Sequence, residues 1–246
     1  MNFFSLFKRS LLYKLKKKIS IDNHNTENRN LDDLFYQYGS DKAEIFKPAK
    51  RTGHGFSKFY TKQLHNFKDK KINILELGSY AGASAAAFSK YFINSKIFCF
   101  DINISNFKFI SKNIEVYGVD INNKNKILKI LDQIFLNHGF KKFDLIIDDG
   151  SHKLSDILFS IKFFFEYLKI DGFYIIEDFK HPNYYKNNKD LDDILVDNLL
   201  LKIKDKKFFQ SSILSKSDQE NLFNSVKKID IFKGNLSDSD IAFLKK

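Results

Sequence analysis

Carboxylates and a histidine stand where short apolar runs stop. Phe143-Asp144-Leu145-Ile146-Ile147-Asp148-Asp149-Gly150-Ser151-His152 is an apolar segment that empties into two acids, a turn and an imidazole. One segment later, Phe173-Tyr174-Ile175-Ile176-Glu177-Asp178 repeats the form. In a parallel sheet both segments end on one edge, so Asp149, Glu177 and Asp178 could converge there. Three hard oxygen ligands suit Mg2+ or another octahedral divalent ion, which keeps its remaining positions for water and substrate. Without a cation their mutual repulsion is costly. Asp148 and Asp149 could instead cap a helix beginning near Ser151, with His152 a first-turn surface residue. Capping does not require the second acidic pair, Glu177-Asp178, and that pair favours the metal reading. Asp148 is better placed near a cofactor than on the metal.

A second constellation lies upstream. Ile74-Leu75-Glu76-Leu77-Gly78-Ser79-Tyr80-Ala81-Gly82 runs from an apolar segment through two glycines into a small-residue helix from Ala83 to Ala87 that includes Ser84. Glycines let a backbone approach a ligand closely, and the first turn of a doubly wound sheet lies where ligands bind. The spacing is E-x-G-x-x-x-G, whereas a dinucleotide site reads G-x-G-x-x-G, so a nicotinamide-dependent oxidoreductase ranks last. A carboxylate at Glu76 would repel a pyrophosphate but tolerate a sulfonium and an amino group. Asp101 ends the next apolar run, where a carboxylate can accept from both ribose hydroxyls. Asp120 follows a third run, in Gly118-Val119-Asp120. Singly these acids could cap a helix, start a turn or sit in a solvated loop; in order, each at a strand end, they specify a site.

The positioning elements follow from periodicity. Ile72 to Leu77, Lys96 to Phe100, Asn113 to Gly118, Phe143 to Ile147 and Phe173 to Ile176 are short apolar runs alternating with helical patterns. Such alternation predicts βαβ units and a mainly parallel sheet. Val226 to Phe232 and Ile241 to Leu244, with Gly234-Asn235 between them, predict an antiparallel hairpin at the sheet edge. From Leu31 a helix, the turn Gly39-Ser40-Asp41-Lys42 and a second helix-like stretch carrying His54, Phe56, Phe59 and Tyr60 form a cap. The expected organisation is a basic amphipathic helix and polar linker over 1–30, then one domain over 31–246, divided into a helical cap at 31–70 and a Rossmann-like core at 71–246. The segment from Tyr184 to Asp197 reads as a mobile loop leading into a helix.

Composition sets the bounds. A chain of 246 residues with 43% hydrophobic residues and 28 phenylalanines has the material for one sizeable core. The net charge of +11 would suit an anionic partner, but Lys, Asn, Ile and Phe are abundant throughout, which points to a coding bias rather than a patch. A single cysteine, Cys99, excludes an internal disulfide and a cysteine metal cage, in keeping with a cytoplasmic location. No export signal is read at the N-terminus. The first twenty residues form a basic amphipathic helix suited to an anionic membrane surface, to a subunit contact or to docking on its own domain.

The E-x-G-x-x-x-G segment resembles motif I of class I S-adenosylmethionine-dependent methyltransferases. D-D-G-S-H and E-D, together with Tyr38-Gly39-Ser40-Asp41-Lys42 and His54, resemble the metal-dependent O-methyltransferases that modify sugars on macrolide antibiotics and their relatives in polysaccharide gene clusters. The likeness runs from about Leu31 to the C-terminus. It implies a Rossmann-like methyltransferase sheet, mostly parallel with a C-terminal antiparallel hairpin, behind an N-terminal helical cap. It implies S-adenosylmethionine near Glu76, Gly78, Ser79, Tyr80, Gly82, Ser84, Asp101, Asp120 and Asp148, with Ser40 and Lys42 from the cap. By the same resemblance Asp149, Glu177 and Asp178 are ligands of a divalent cation, expected to be Mg2+, and His152 is the general base. His54 and Tyr60 in the cap, and His181 and Tyr184 after the second acidic pair, are candidate substrate contacts. The expected acceptor is a sugar or nucleotide-linked sugar and the expected assembly a homo-oligomer. Two other readings stay open: a methyltransferase acting on nucleic acid, which would bind with steep salt dependence, and a non-catalytic Rossmann-like assembly subunit. No accessory nucleic-acid module is evident.

Overall fold

The computed structural model describes residues 3–26, 29–180 and 195–246, which fall into two compact units, Met1–Lys141 and Lys142–Lys246. The first unit begins with α1 (Phe3–Leu15), β1 (Ile19–Ser20), α2 (Leu31–Tyr38), β2 (Ile45–Phe46), β3 (Arg51–Thr52) and α3 (Ser57–Leu64). It continues with β4 (Ile72–Leu77), α4 (Ala83–Tyr91), β5 (Ser95–Asp101), β6 (Phe109–Ile110), β7 (Ile114–Gly118) and α5 (Lys124–His138). Strands β4, β5 and β7 lie side by side and parallel, with Leu77 opposite Phe100 and Asp101 opposite Gly118. The inner strands are apolar almost without interruption because both faces are covered: in β4 only Asn73 is not buried.

Local rules place the cap. Asn30 caps α2 by accepting from the Asp33 backbone N–H, and Gly39 ends it in the left-handed conformation at φ 76°, its N–H turned back to Phe35 and Tyr36 carbonyls. α2 buries Leu31, Leu34, Phe35 and Tyr38. The Phe88 ring of α4 meets Phe35 at 5.3 Å, Tyr60 at 5.1 Å and Phe92 at 6.1 Å between centroids. Phe88→Ala would empty the centre of this cluster, and we expect urea unfolding to report a loss of about 3–5 kcal/mol. A loss below about 1 kcal/mol would mean that the neighbouring rings collapse into the space.

The expected second cap helix starts later than its sequence pattern. α3 begins at Ser57, and His54 and Phe56 precede it because their segment bonds elsewhere: His54 N–H donates to the Asp41 carbonyl at 2.7 Å and Gly55 N–H to that of Ala43 at 3.0 Å. The arm after α1 is tied to the first unit by a strand pairing and by a side chain. β1 pairs in parallel with β6, Ile19 opposite Phe109. Asp22 accepts from Ser111 Oγ at 2.6 Å and the Lys112 N–H at 3.1 Å. These bonds hold its carboxyl below the usual carboxylate range. α1 docks on the first unit through Tyr13, whose ring meets that of Phe107 edge-on at 6.4 Å, and through cations that donate to carbonyls of the segment after β5.

The second unit contains β8 (Phe143–Asp148), α6 (Leu154–Phe164), β9 (Leu168–Glu177), α7 (Val196–Lys204), α8 (Lys216–Ser225), β10 (Lys228–Lys233) and β11 (Asp240–Lys245). β8 and β9 are parallel; β11 runs antiparallel to β9 and pairs with β10, which is the expected C-terminal hairpin. α6 turns Leu154, Ile157, Leu158, Ile161 and Phe164 into the core, a helical stripe that buries one face. The pattern is α/β and mostly parallel, as the alternation of runs predicts. The expected loop from Tyr184 falls largely outside the described residues, and the helix after it is α7.

Candidate active site

In the first unit the turn after β4 is built around Glu76. Its side chain is fully buried and accepts from Ser84 Oγ at 2.5 Å, with Cys99 Sγ at 3.8 Å from its other oxygen. Gly78 and Gly82 take φ of 87° and 76°, and Tyr80 between them takes φ 43°. A non-glycine residue in this region marks an over-determined backbone. Asp101, at the end of β5, holds the turn: its two oxygens accept from the backbone N–H of Tyr80 at 2.7 Å and of Asn103 at 2.5 Å. A carboxylate has about four acceptor sites, so about two stay available for ligand hydroxyls. Asp120 is half-buried, accepts from the Asn122 N–H at 3.1 Å and lines a groove of about 470 Å³ with Leu6, Asn122 and Lys124.

The second glycine of the motif has a reason that its sequence does not display. A Cβ on Gly82 would fall 2.4 Å from the buried Phe107 ring. Gly82→Ala is expected to cost about 1–3 kcal/mol in urea unfolding, from backbone strain and overpacking together. Unchanged stability would show that Phe107 yields.

In the second unit the acids at the strand ends separate into distinct settings. One side-chain atom from each of Asp149, His152 and Asp178 can be chosen so that all lie within 4.8 Å of one another. Asp178 is 8% exposed, and the Asp149 and His152 side chains are about one-fifth exposed. His152 and Asp178 both hold positive φ, 59° and 51°, a conformation that His and Asp tolerate better than most residues. His152 Nδ1 lies 3.3 Å from the Glu177 carbonyl, and Nε2 lies 3.9 Å from Asp149 Oδ1. Glu177 is buried at the end of β9, opposite Ile241, and its carboxylate is not in this group. Successive strand residues point to opposite faces, and the left-handed turn at Asp178 redirects that side chain.

Asp148 is buried at the end of β8, and burial raises its pKa to about 7. The Tyr174 hydroxyl, which donates to it at 3.1 Å, and the nearby His152 and Gly150 N–H oppose that rise, while Asp149 adds to it. Neither Asp148 nor Asp149 caps α6, whose N-cap is Lys153 with no side-chain cap bond. The capping alternative therefore falls away.

The cap candidates lie in the first unit. Ser40 and Lys42 are buried, and Ser40 Oγ accepts from the Lys42 N–H at 3.3 Å. His54 Nε2 is 3.8 Å from Asp41 Oδ2. Tyr60 is fully buried in the aromatic cluster. His181 and Tyr184 lie outside the described residues. The donor set of the second unit, two carboxylates and an imidazole, fits a divalent ion that takes oxygen and nitrogen ligands. Sequence reasoning missed Phe107 and Tyr174, which act only through contacts distant in the chain.

No family model matches the chain. It is 30% identical over 155 residues, 60% of its length, to L-olivosyl-oleandolide 3-O-methyltransferase of Streptomyces antibioticus, and covers 36% of that relative. It is 26% identical over 143 residues, 55% of its length, to mycinamicin VI 2''-O-methyltransferase of Micromonospora griseorubida, and covers 34% of it. The chain thus spans about a third of the length of these curated relatives. A solved structure of the MycE methyltransferase from the mycinamycin biosynthetic pathway, in complex with Mg, SAH and mycinamycin VI, superposes with a TM-score of 0.63. Identity is 20%, and the match covers 90% of this chain and 56% of that one. The fold is that of a Rossmann-like class I methyltransferase, and in sequence the chain is similar to the macrolide-sugar O-methyltransferases.

Proposed function

From this similarity we propose that the chain is an S-adenosylmethionine-dependent, divalent-metal-dependent O-methyltransferase acting on a hydroxyl of a sugar or of a glycosylated or nucleotide-linked small molecule. The observation that carries the reading is the convergence of Asp149, His152 and Asp178 after two adjacent parallel strands. The turn of the first unit would take the donor: the Glu76 carboxylate suits its cationic head and Asp101 its ribose hydroxyls, while Asp120 is suited to the adenine edge. The group in the second unit would take the acceptor hydroxyl.

Asp149 and Asp178 would hold the cation, whose charge would favour deprotonation of the acceptor hydroxyl. With the Nδ1 proton donated to the Glu177 carbonyl, His152 keeps its Nε2 lone pair to accept the hydroxyl proton. Transfer would join the hydroxyl oxygen to the donor's methyl carbon as the carbon–sulfur bond breaks, with S-adenosylhomocysteine as the other product. Asp148 in its buried setting, bonded to Tyr174, stiffens the end of β8 behind Asp149.

The test is mass spectrometry of products from a panel of nucleotide-linked sugars incubated with S-adenosylmethionine, with and without a chelator. We expect one acceptor to gain the mass of a methyl group, the gain to vanish on chelation and to return with Mg2+. Calorimetry showing no binding of the donor would overturn the reading, as would transfer that ignores chelation.

A further inference from the structure

The docked α1 leaves one side uncovered. Arg9 Nη1 donates to the Ile102 carbonyl at 2.9 Å, and Tyr13 meets Phe107. Just past the helix, Lys16 and Lys18 donate to the carbonyls of Ser105 at 2.8 Å and Phe107 at 2.6 Å. Phe7, Leu11 and Leu15 form a row at i, i+4 and i+8 turned away from that contact, 62%, 48% and 72% exposed. On a helical wheel Lys14 borders the row on one side and Lys8 on the other, and both are exposed. Leu12, also exposed, extends the apolar face beyond Lys8. No acidic residue precedes Asp22.

We propose that this face docks on the surface of an anionic lipid bilayer, with Phe7, Leu11 and Leu15 inserted among the acyl chains and Lys8, Lys14 and Lys17 set against the headgroups. Charge selects the occupant. An apolar row bordered only by cations matches a surface of negative lipids. A second copy of the chain would meet it, across a two-fold axis, with the same cations face to face. Docking of this kind lies in the plane of the surface: among the described residues no helix is long and apolar enough to cross a membrane. The cation-to-carbonyl bonds and the β1–β6 pairing tie the helix to the first unit, so binding would recruit the folded chain.

Sedimentation of the whole chain with vesicles tests this. Vesicles of phosphatidylcholine mixed with phosphatidylserine should carry the protein down, and phosphatidylcholine alone should not. Raising salt from about 0.1 M to about 1 M, which shortens screening from about 10 Å to about 3 Å, should release it. Lys8→Ala with Lys14→Ala should weaken binding by about 25-fold, at about fivefold per cation. Leu11→Asp with Leu15→Asp should abolish it while leaving calorimetric binding of S-adenosylmethionine and the melting temperature in place. The proposal is overturned if mixed vesicles do not bind, or if the double aspartate variant binds as the parent does. It is equally overturned if light scattering finds a dimer that the aspartate variant dissociates and vesicles do not compete with.

Discussion

Asp178→Asn is expected to lower the rate of methyl transfer on the order of 10³-fold while leaving binding of S-adenosylmethionine unchanged. A cation that polarises the reacting oxygen contributes several kcal/mol to the transition state, and each 1.36 kcal/mol is about tenfold in rate. Asn is the informative replacement. Residue 178 sits at φ 51°, a region Asn enters readily and a branched residue does not, so the backbone survives while the side chain loses its charge. Asp149→Asn should fall in the same range, and chelation of the parent should match both and reverse with Mg2+. Near-parental turnover of Asp178→Asn, with its fold intact by thermal melting, would remove this residue from the metal group.

His152→Asn should lower kcat by about 10²- to 10⁴-fold, the usual contribution of a positioned proton acceptor. Asn again suits the positive φ of 59° at this position. Metal affinity and KM for the acceptor are expected to hold, and free imidazole should restore part of the rate. The arrangement makes a specific competing outcome measurable, because His152 offers a nitrogen to the same group of atoms as Asp149 and Asp178. A variant that binds the metal at least tenfold more weakly, and that imidazole does not rescue, would assign His152 as a ligand. The base would then have to be sought elsewhere.

Both experiments probe residues whose types and order can be read from the chain, although their grouping cannot. The placement of Glu76, Gly78, Gly82 and Asp101 at or just after strand ends is legible because each sits in a short pattern at the end of an apolar run. Strand β4 matches its run residue for residue, and the C-terminal hairpin falls where two adjacent runs lack a helix. The helix expected to carry His54 was less legible, since backbone bonds to Asp41 and Ala43 hold the chain before Ser57 out of helical conformation. The N-terminal arm hid its pairing partner because Ile19 and Phe109 are far apart in sequence.

Asp149, Glu177 and Asp178 show the limit most clearly. Sequence alone determined that acids follow two neighbouring strands, because residue type and strand-end position are local properties. Only the tertiary structure decided that Asp178 turns toward Asp149 and His152 while the Glu177 carboxylate stays outside their group. It also decided that Gly82 is small because the Phe107 ring lies on it, and that Asp148 is braced by Tyr174. The physical reason is common to all three. Side-chain direction at a strand end depends on local backbone torsions, and the space around it is set by residues that only the folded chain brings near.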